Sequence, residues 1–173
     1  MPVSSQLLRP VRGTLIFFTF LVALVVNLLP WQVGLANFTP DFVALFIVYW
    51  TLNQPRRVGV GWAFVLGILM DVGDGNVLGQ HAFAYSVIAF LTLARQRQLN
   101  VFPFWQQAFV ALGFLLLSQL LMVLIRLALG SPFVGWGYFA GCFLSAVIWT
   151  PLSNLMLMYH QRKPKSESKY ESS

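Results

Sequence analysis

At 173 residues, with 58% apolar side chains and only 9% charged ones, the chain lacks the surface of a soluble domain, where roughly a quarter of residues are charged. Its net charge of +6 comes from eleven Lys and Arg set in short clusters between apolar runs, which reports topology and speaks against a nucleic-acid-binding stripe. A single cysteine, Cys142, excludes an intrachain disulfide and a cysteine-rich metal site.

The first apolar run, Thr14–Leu29, follows Arg9 and Arg12 and precedes Gly34-Leu35-Ala36, a pattern shared with secretory signals. The run is long for a signal core, and the later segments count out best with it retained, so it reads as a first transmembrane helix. The second run, Pro40–Leu52, rises about 1.5 Å per residue and falls short of a ~30 Å hydrocarbon core. It needs the Trp31–Phe38 stretch or local thinning to cross, and its first turn is open to an interfacial or re-entrant reading. Pro40 suits the opening turn of that helix, and Asp41 complements the positive end of its dipole.

Further spans are expected at Val58–Val72, at Val77–Ala94 beyond a Gly73-Asp74-Gly75-Asn76 turn, at Phe104–Leu129 and at Val134–Tyr159. Pro151 falls inside the last run and is expected to kink or end its helix. Residues 160–173 carry no apolar face and are expected to form a disordered basic tail. The expected fold is therefore all-α, one transmembrane domain over 1–159 built as a compact bundle of about six helices.

Orientation follows from the positive-inside rule. Arg9 and Arg12, Arg56 and Arg57, Arg95 and Arg97, and Arg162, Lys163, Lys165 and Lys169 fall on one side, and only Arg126 falls near the other. Both termini are then cytoplasmic, and Asp41, Asp71 and Asp74 lie toward the outer face. Arg56, Arg57, Arg95 and Arg97 form a cytoplasmic basic set suited to anionic lipid or to cytoplasmic partners.

Gly59, Ala63, Gly67 and Asp71 recur every four residues on one face of the third span, and Gly137, Gly141 and Ser145 form a second stripe on the last. Such stripes serve internal helix packing or seat a partner helix. A carboxylate at the depth of Asp71 must face protein or water, with the first N–H groups of the fourth helix near Leu78 to Gln80, or the His81 side chain, as candidate partners. The alternative is a loop carboxylate wetted at the interface.

Catalytic constellations are missing. Asp71-Val72-Gly73-Asp74 lacks the local pattern of an intramembrane aspartic protease, and neither Gly-x-Ser-x-Gly nor His-Glu-x-x-His occurs. Asp71, Asp74 and His81 imitate a metal site only weakly, so no metal or cofactor is expected. A transport reading finds Asp71 with only Asn27, Gln119 and Arg126 as scattered polar extras, and Arg126 reads as snorkelling to the outer interface.

One spaced pattern is more specific. Pro40-Asp41, Leu45, Tyr49-Trp50, Pro55-x-Arg57-Val58, Gly61-x-x-Phe64-x-x-Gly67-x-x-x-Asp71, Gly75-x-x-Leu78-Gly79, Ala89-Phe90-Leu91 and Trp105-Gln106-Gln107-Ala108 together resemble the rod shape-determining MreD family. The resemblance implies a non-enzymatic scaffold of the bacterial cell-elongation complex in the cytoplasmic membrane, needed for rod shape and lateral peptidoglycan synthesis. Its implied partner is MreC, with MreB filaments and the elongation glycosyltransferase and transpeptidase reached indirectly. It implies too an architecture similar to the substrate-binding subunits of energy-coupling-factor transporters, which keeps open an alternative: a subunit binding or transporting a small or lipid-linked molecule. Pro40, Asp41, Gly75, Leu78 and Gly79 are the expected outer-face contacts.

Overall fold

Local signals set where each helix begins and ends. The computed structural model describes residues 13–29, 39–75, 77–133 and 135–161. In them α1 (Gly13–Leu28), α2 (Phe42–Asn53), α3 (Val60–Asp74), α4 (Gln80–Leu99), α5 (Phe104–Ala128) and α6 (Ala140–Gln161) follow in order, with a 3-10 turn at Trp136–Phe139 before α6. Among the described residues there is no strand. Two stretches, Trp105–Ala128 and Trp136–Met156, are long and apolar enough to cross a membrane, whereas α1 and α2 are shorter apolar helices.

Asp41 is the N-cap of α2, its carboxylate accepting the Ala44 N–H at 2.9 Å, so Pro40 lies just outside the opening turn. Gly75, in the left-handed region at φ 63°, stops α3. Pro151 does not end α6, which runs on to Gln161 although its missing N–H leaves the Val147 carbonyl without the usual donor. The Trp31–Phe38 stretch and the tail from 162 lie outside the described residues.

Although α2 is the shortest helix, at 12 residues, it is the centre of the fold. Every residue from Val43 to Leu52 except Phe46 is buried, because the sequence is apolar all round and offers no face to water. Around it stand α1, α4, α5 and α6, while α3 packs most extensively on α4 and also meets α1. Trp50 donates its indole N–H to Thr19 Oγ1 at 2.9 Å, joining α2 to α1, and Tyr49 meets Trp149 of α6 edge to face at 6.1 Å. Gln96 of α4 donates to the Leu52 carbonyl at 3.0 Å, occupying one of the acceptors left over at the end of α2.

The outward faces are apolar as well. Phe17 and Phe18 of α1, Phe64 and Val72 of α3, Phe109 of α5 and Val147 of α6 are all exposed, a surface suited to hydrocarbon and a liability in water. Between α1 and α6 an open hollow of about 230 Å³, floored by Phe42, Leu45 and Phe46 of α2, is lined by Val22, Ala23, Val26, Ile148 and Leu152.

At Gly67 the third and fourth helices meet main chain to main chain: a Cβ there would lie inside the backbone of His81 and Ala82. At Gly61, one turn and a half away, nothing stands within 4 Å of the same atom. Gly67→Ala is therefore expected to destabilise by about 3 kcal/mol, the upper end for overpacking, because backbone cannot step aside. Gly61→Ala should be neutral or stabilise by up to ~1 kcal/mol through helix propensity. Unfolding of the two variants in the same detergent micelle checks the contrast, and equal stabilities would refute the contact.

Candidate functional site

Apolar helices leave their few polar side chains nowhere to go except one another, and at the end of the bundle where α4 begins they converge. The first is Asp71, on the last turn of α3 and 1% exposed. Helix α4 begins at Gly79, which has no side chain to cap its own N–H groups. Asp71 supplies that cap from the neighbouring helix: Oδ2 accepts from Gly79 N at 2.8 Å and Ala82 N at 3.4 Å, and Oδ1 from His81 N at 3.0 Å. Oδ1 also receives the His81 ring at 2.7 Å, which fixes the proton on Nδ1 because a carboxylate only accepts.

The backbone makes this reach possible. Gly75 and Gly79 both sit at positive φ, 63° and 99°, letting the chain reverse within one short turn so that α4 opens beneath Asp71. The close approach at Gly67 brings the two helices near enough for the side chain to span them. Asp74, whose side chain is 30% exposed, stands 3.9 Å from His81 Nε2 on the other side of the ring.

A second carboxylate joins α1, α2 and α4. Besides its own Ala44 N–H, Asp41 accepts from Asn27 Nδ2 of α1 at 2.9 Å and from the Tyr85 hydroxyl of α4 at 2.8 Å. Asn27 answers with its carbonyl, which takes the Phe42 N–H at 3.2 Å, so the pair caps α2 together. His81 and Tyr85 are one turn apart on α4 with rings 5.6 Å apart edge to face, which links the two carboxylate nodes along a single helix.

Around this lie two further polar contacts. Gln80, fully buried, accepts at Oε1 from Arg126 Nε of α5 at 3.0 Å. Buried Gln119 of α5 accepts the Cys142 thiol of α6 at 2.9 Å. Neither hollow beside the core coincides with the nodes: one is the apolar groove between α1 and α6, the other a space of about 10 Å³ by Trp149 and Gln107.

The small-residue stripes divide. Ala63 and Gly67 are buried, Gly67 against α4, while Gly59 only approaches the Leu93 side chain from the N-cap of α3. Gly141 faces the Thr39 carbonyl, and Ser145 is buried with its hydroxyl donated to the Gly141 carbonyl at 2.9 Å. Gly137 is not on the α6 face at all; it lies exposed in the 3-10 turn, because α6 starts later than the apolar run. Of the outer-face set, Gly75 and Gly79 shape the turn and Leu78 is 67% exposed between them. Arg56, Arg57, Arg95 and Arg97 are exposed at the opposite end of the bundle. Sequence reasoning overlooked Tyr85 and Gln80, and treated Asn27 as a stray. The signal was there: each is a polar group in an apolar run, which must find a partner.

The family model for rod shape-determining protein MreD matches residues 9–159. The Rod shape-determining protein MreD of Haemophilus influenzae is 32% identical over 146 residues, covering 84% of this chain and 90% of that relative. No solved structure matches significantly.

Two substitutions test the nodes. Asp71→Leu removes the acceptor for four donors and leaves buried N–H groups bare, so a loss of ~3–5 kcal/mol is expected, as for breaking a buried charge pair. Asp71→Asn retains one acceptor oxygen and should cost about half as much. Tyr85→Phe removes a single hydrogen bond to a carboxylate and should cost ~1.5–3 kcal/mol. Denaturant or thermal unfolding of the purified variants checks the order, and a fully stable Asp71→Leu protein would refute the capping role.

Proposed function

This chain belongs to the rod shape-determining protein MreD family, and from that membership we propose that it is a multi-pass scaffold of the bacterial cytoplasmic membrane. Membership carries a role in rod shape determination. Within it, the proposed task is to hold MreC, and through MreC the MreB filaments and the enzymes that polymerise and cross-link lateral peptidoglycan. The proposed topology is six crossings with both termini cytoplasmic, which puts Asp41 and Asp71 in the outer half and Arg56, Arg57, Arg95 and Arg97 against the inner leaflet.

The observation that carries the scaffold reading is the use made of the carboxylates. Both oxygens of Asp71 and both of Asp41 accept hydrogen bonds that run between helices or cap them, so these groups fasten the bundle. What remains for partners is the outside: apolar helix faces, short connections and exposed cations. Since Gly67 and Gly141 pack against this chain's own backbone, they are poor seats for a partner helix.

The open groove between α1 and α6 is a better one. It exposes the central helix to the membrane, and its rim residues Val22 and Ile148 are reachable from lipid. A single partner helix lying across it would cover Phe42 and Phe46 and complete the ring around α2. The tagged protein, extracted in mild detergent, is expected to copurify with the same organism's MreC at a fixed ratio. Val22→Trp combined with Ile148→Trp should abolish that copurification and leave the melting temperature near the parent's. Retention of MreC by the double variant would reject the groove, whereas a parent protein that never retains MreC would reject the scaffold.

A further inference from the structure

Arg126 makes no hydrogen bond or close ion pair with the carboxylates of either node, feeling only the charge of Asp74 at longer range, yet it is held in place. Its Nε donates to Oε1 of Gln80, a side chain with no exposure at all, at 3.0 Å. The guanidinium carbon stands 5.6 Å from the centre of the Tyr138 ring, and the Tyr138 hydroxyl is itself anchored on Met122 Sδ at 3.5 Å. A cation merely snorkelling to water needs neither contact. With Nε and one face fixed, the terminal nitrogens form no hydrogen bond or ion pair among the described residues; no described carboxylate comes within 4 Å of them. An oriented, half-buried guanidinium with its fork left open is the donor set that matches a phosphate bidentately.

The surroundings narrow the ligand. Leu78, Leu129 and Trp136, from the chain segments next to Gln80, Arg126 and Tyr138, are 67%, 60% and 83% exposed. The segments that carry this cation and its partners thus expose apolar side chains close by in sequence, and Asp74 is the carboxylate that feels its charge; beside such apolar side chains a bare hydrated ion gains little and an anion carrying hydrocarbon gains both contacts. We propose that Arg126 is a headgroup site for a phosphate-bearing lipid, with Gln80 and Tyr138 as positioning residues and the acyl chains lying along the apolar surface beside α5. The proposal is independent of the scaffold reading and of which leaflet this end of the bundle meets.

The test uses the full chain, purified in detergent and stripped of lipid, with the melting temperature followed as phosphatidylglycerol, diacylglycerol or inorganic phosphate is added. Phosphatidylglycerol is expected to raise the melting temperature in a saturable way, and diacylglycerol, which lacks the phosphate, is not. Arg126→Gln should weaken the apparent affinity about tenfold or more, the scale of a hydrogen bond to a charged group. Arg126→Lys keeps the charge and the stem, so it serves as a folded reference should the glutamine variant unfold, and it too should bind weakly because it has no fork. An equal response to diacylglycerol, an unchanged affinity in Arg126→Gln, or full binding by Arg126→Lys would each overturn the proposal. Saturable stabilisation by inorganic phosphate alone, at the same affinity, would overturn its lipid part.

Discussion

A polar group in an apolar helical bundle has no water to fall back on, and this constraint organises the whole structure. The start of α4 is where it bears hardest. Four N–H groups lack partners at any helix start, and here the capping position is a glycine with nothing to offer them. Asp71 answers from α3 and in the same act solves its own problem, since a carboxyl group only 1% exposed is tolerable only with several hydrogen-bond partners around it. The turn glycines and the Gly67 contact follow from that bond: both are needed to bring the main chain of α4 within reach of one short side chain.

The same constraint explains why the shortest helix can be the central one. A helix of 12 residues buried on all sides but the groove at Phe42 and Phe46 has two ends that solvent does not reach freely, and each end is supplied by its neighbours. Asp41 and Asn27 cap its start and Tyr85 braces the cap; Gln96 takes a carbonyl at its finish. Because Tyr85 and Gln96 reach the two ends of α2 and His81 reaches Asp71 of α3, helix α4 ties α2 to α3. The bundle is held less by its apolar surfaces, which lipid would satisfy equally well, than by close backbone contact and these few directional bonds.

Much of this was legible in the sequence. Each apolar run holds a helix, because length and hydrophobicity are additive signals that survive any tertiary arrangement. Cost alone required Asp71 to face protein or water, and left the α4 N–H groups or His81 standing beside a wetted loop position as the two readings. What the sequence left open were choices among partners: Asn27 to Asp41, Tyr85 to the same oxygen pair, Gln80 to Arg126, all contacts between residues far apart in the chain. Spacing of four residues marks a helix face without saying what covers it, which is why a partner seat stayed open for Gly67 and Gly141 beside the favoured reading of internal packing. Gly137 failed for a simpler reason, since a 3-10 turn breaks the period on which the stripe was drawn. The centrality of α2 was hidden because a short, uniformly apolar helix looks the same whether it is marginal to a bundle or its core.

This arrangement changes how loss of function in such a chain should be read. A carboxylate that caps one helix and grips a histidine would be indispensable whether or not it ever meets a substrate, so inactivity of an Asp71 variant argues for catalysis only if the variant is folded. The distinction lies in where function fails. Residues that fasten the bundle lose stability and activity together, whereas those proposed to meet a partner, such as the groove rim at Val22 and Ile148, would lose partner binding at full stability. Any partner that binds the described helices meets the outside of the same fold that Asp71 and Asp41 hold together, and the rigidity of these nodes keeps that surface in one shape.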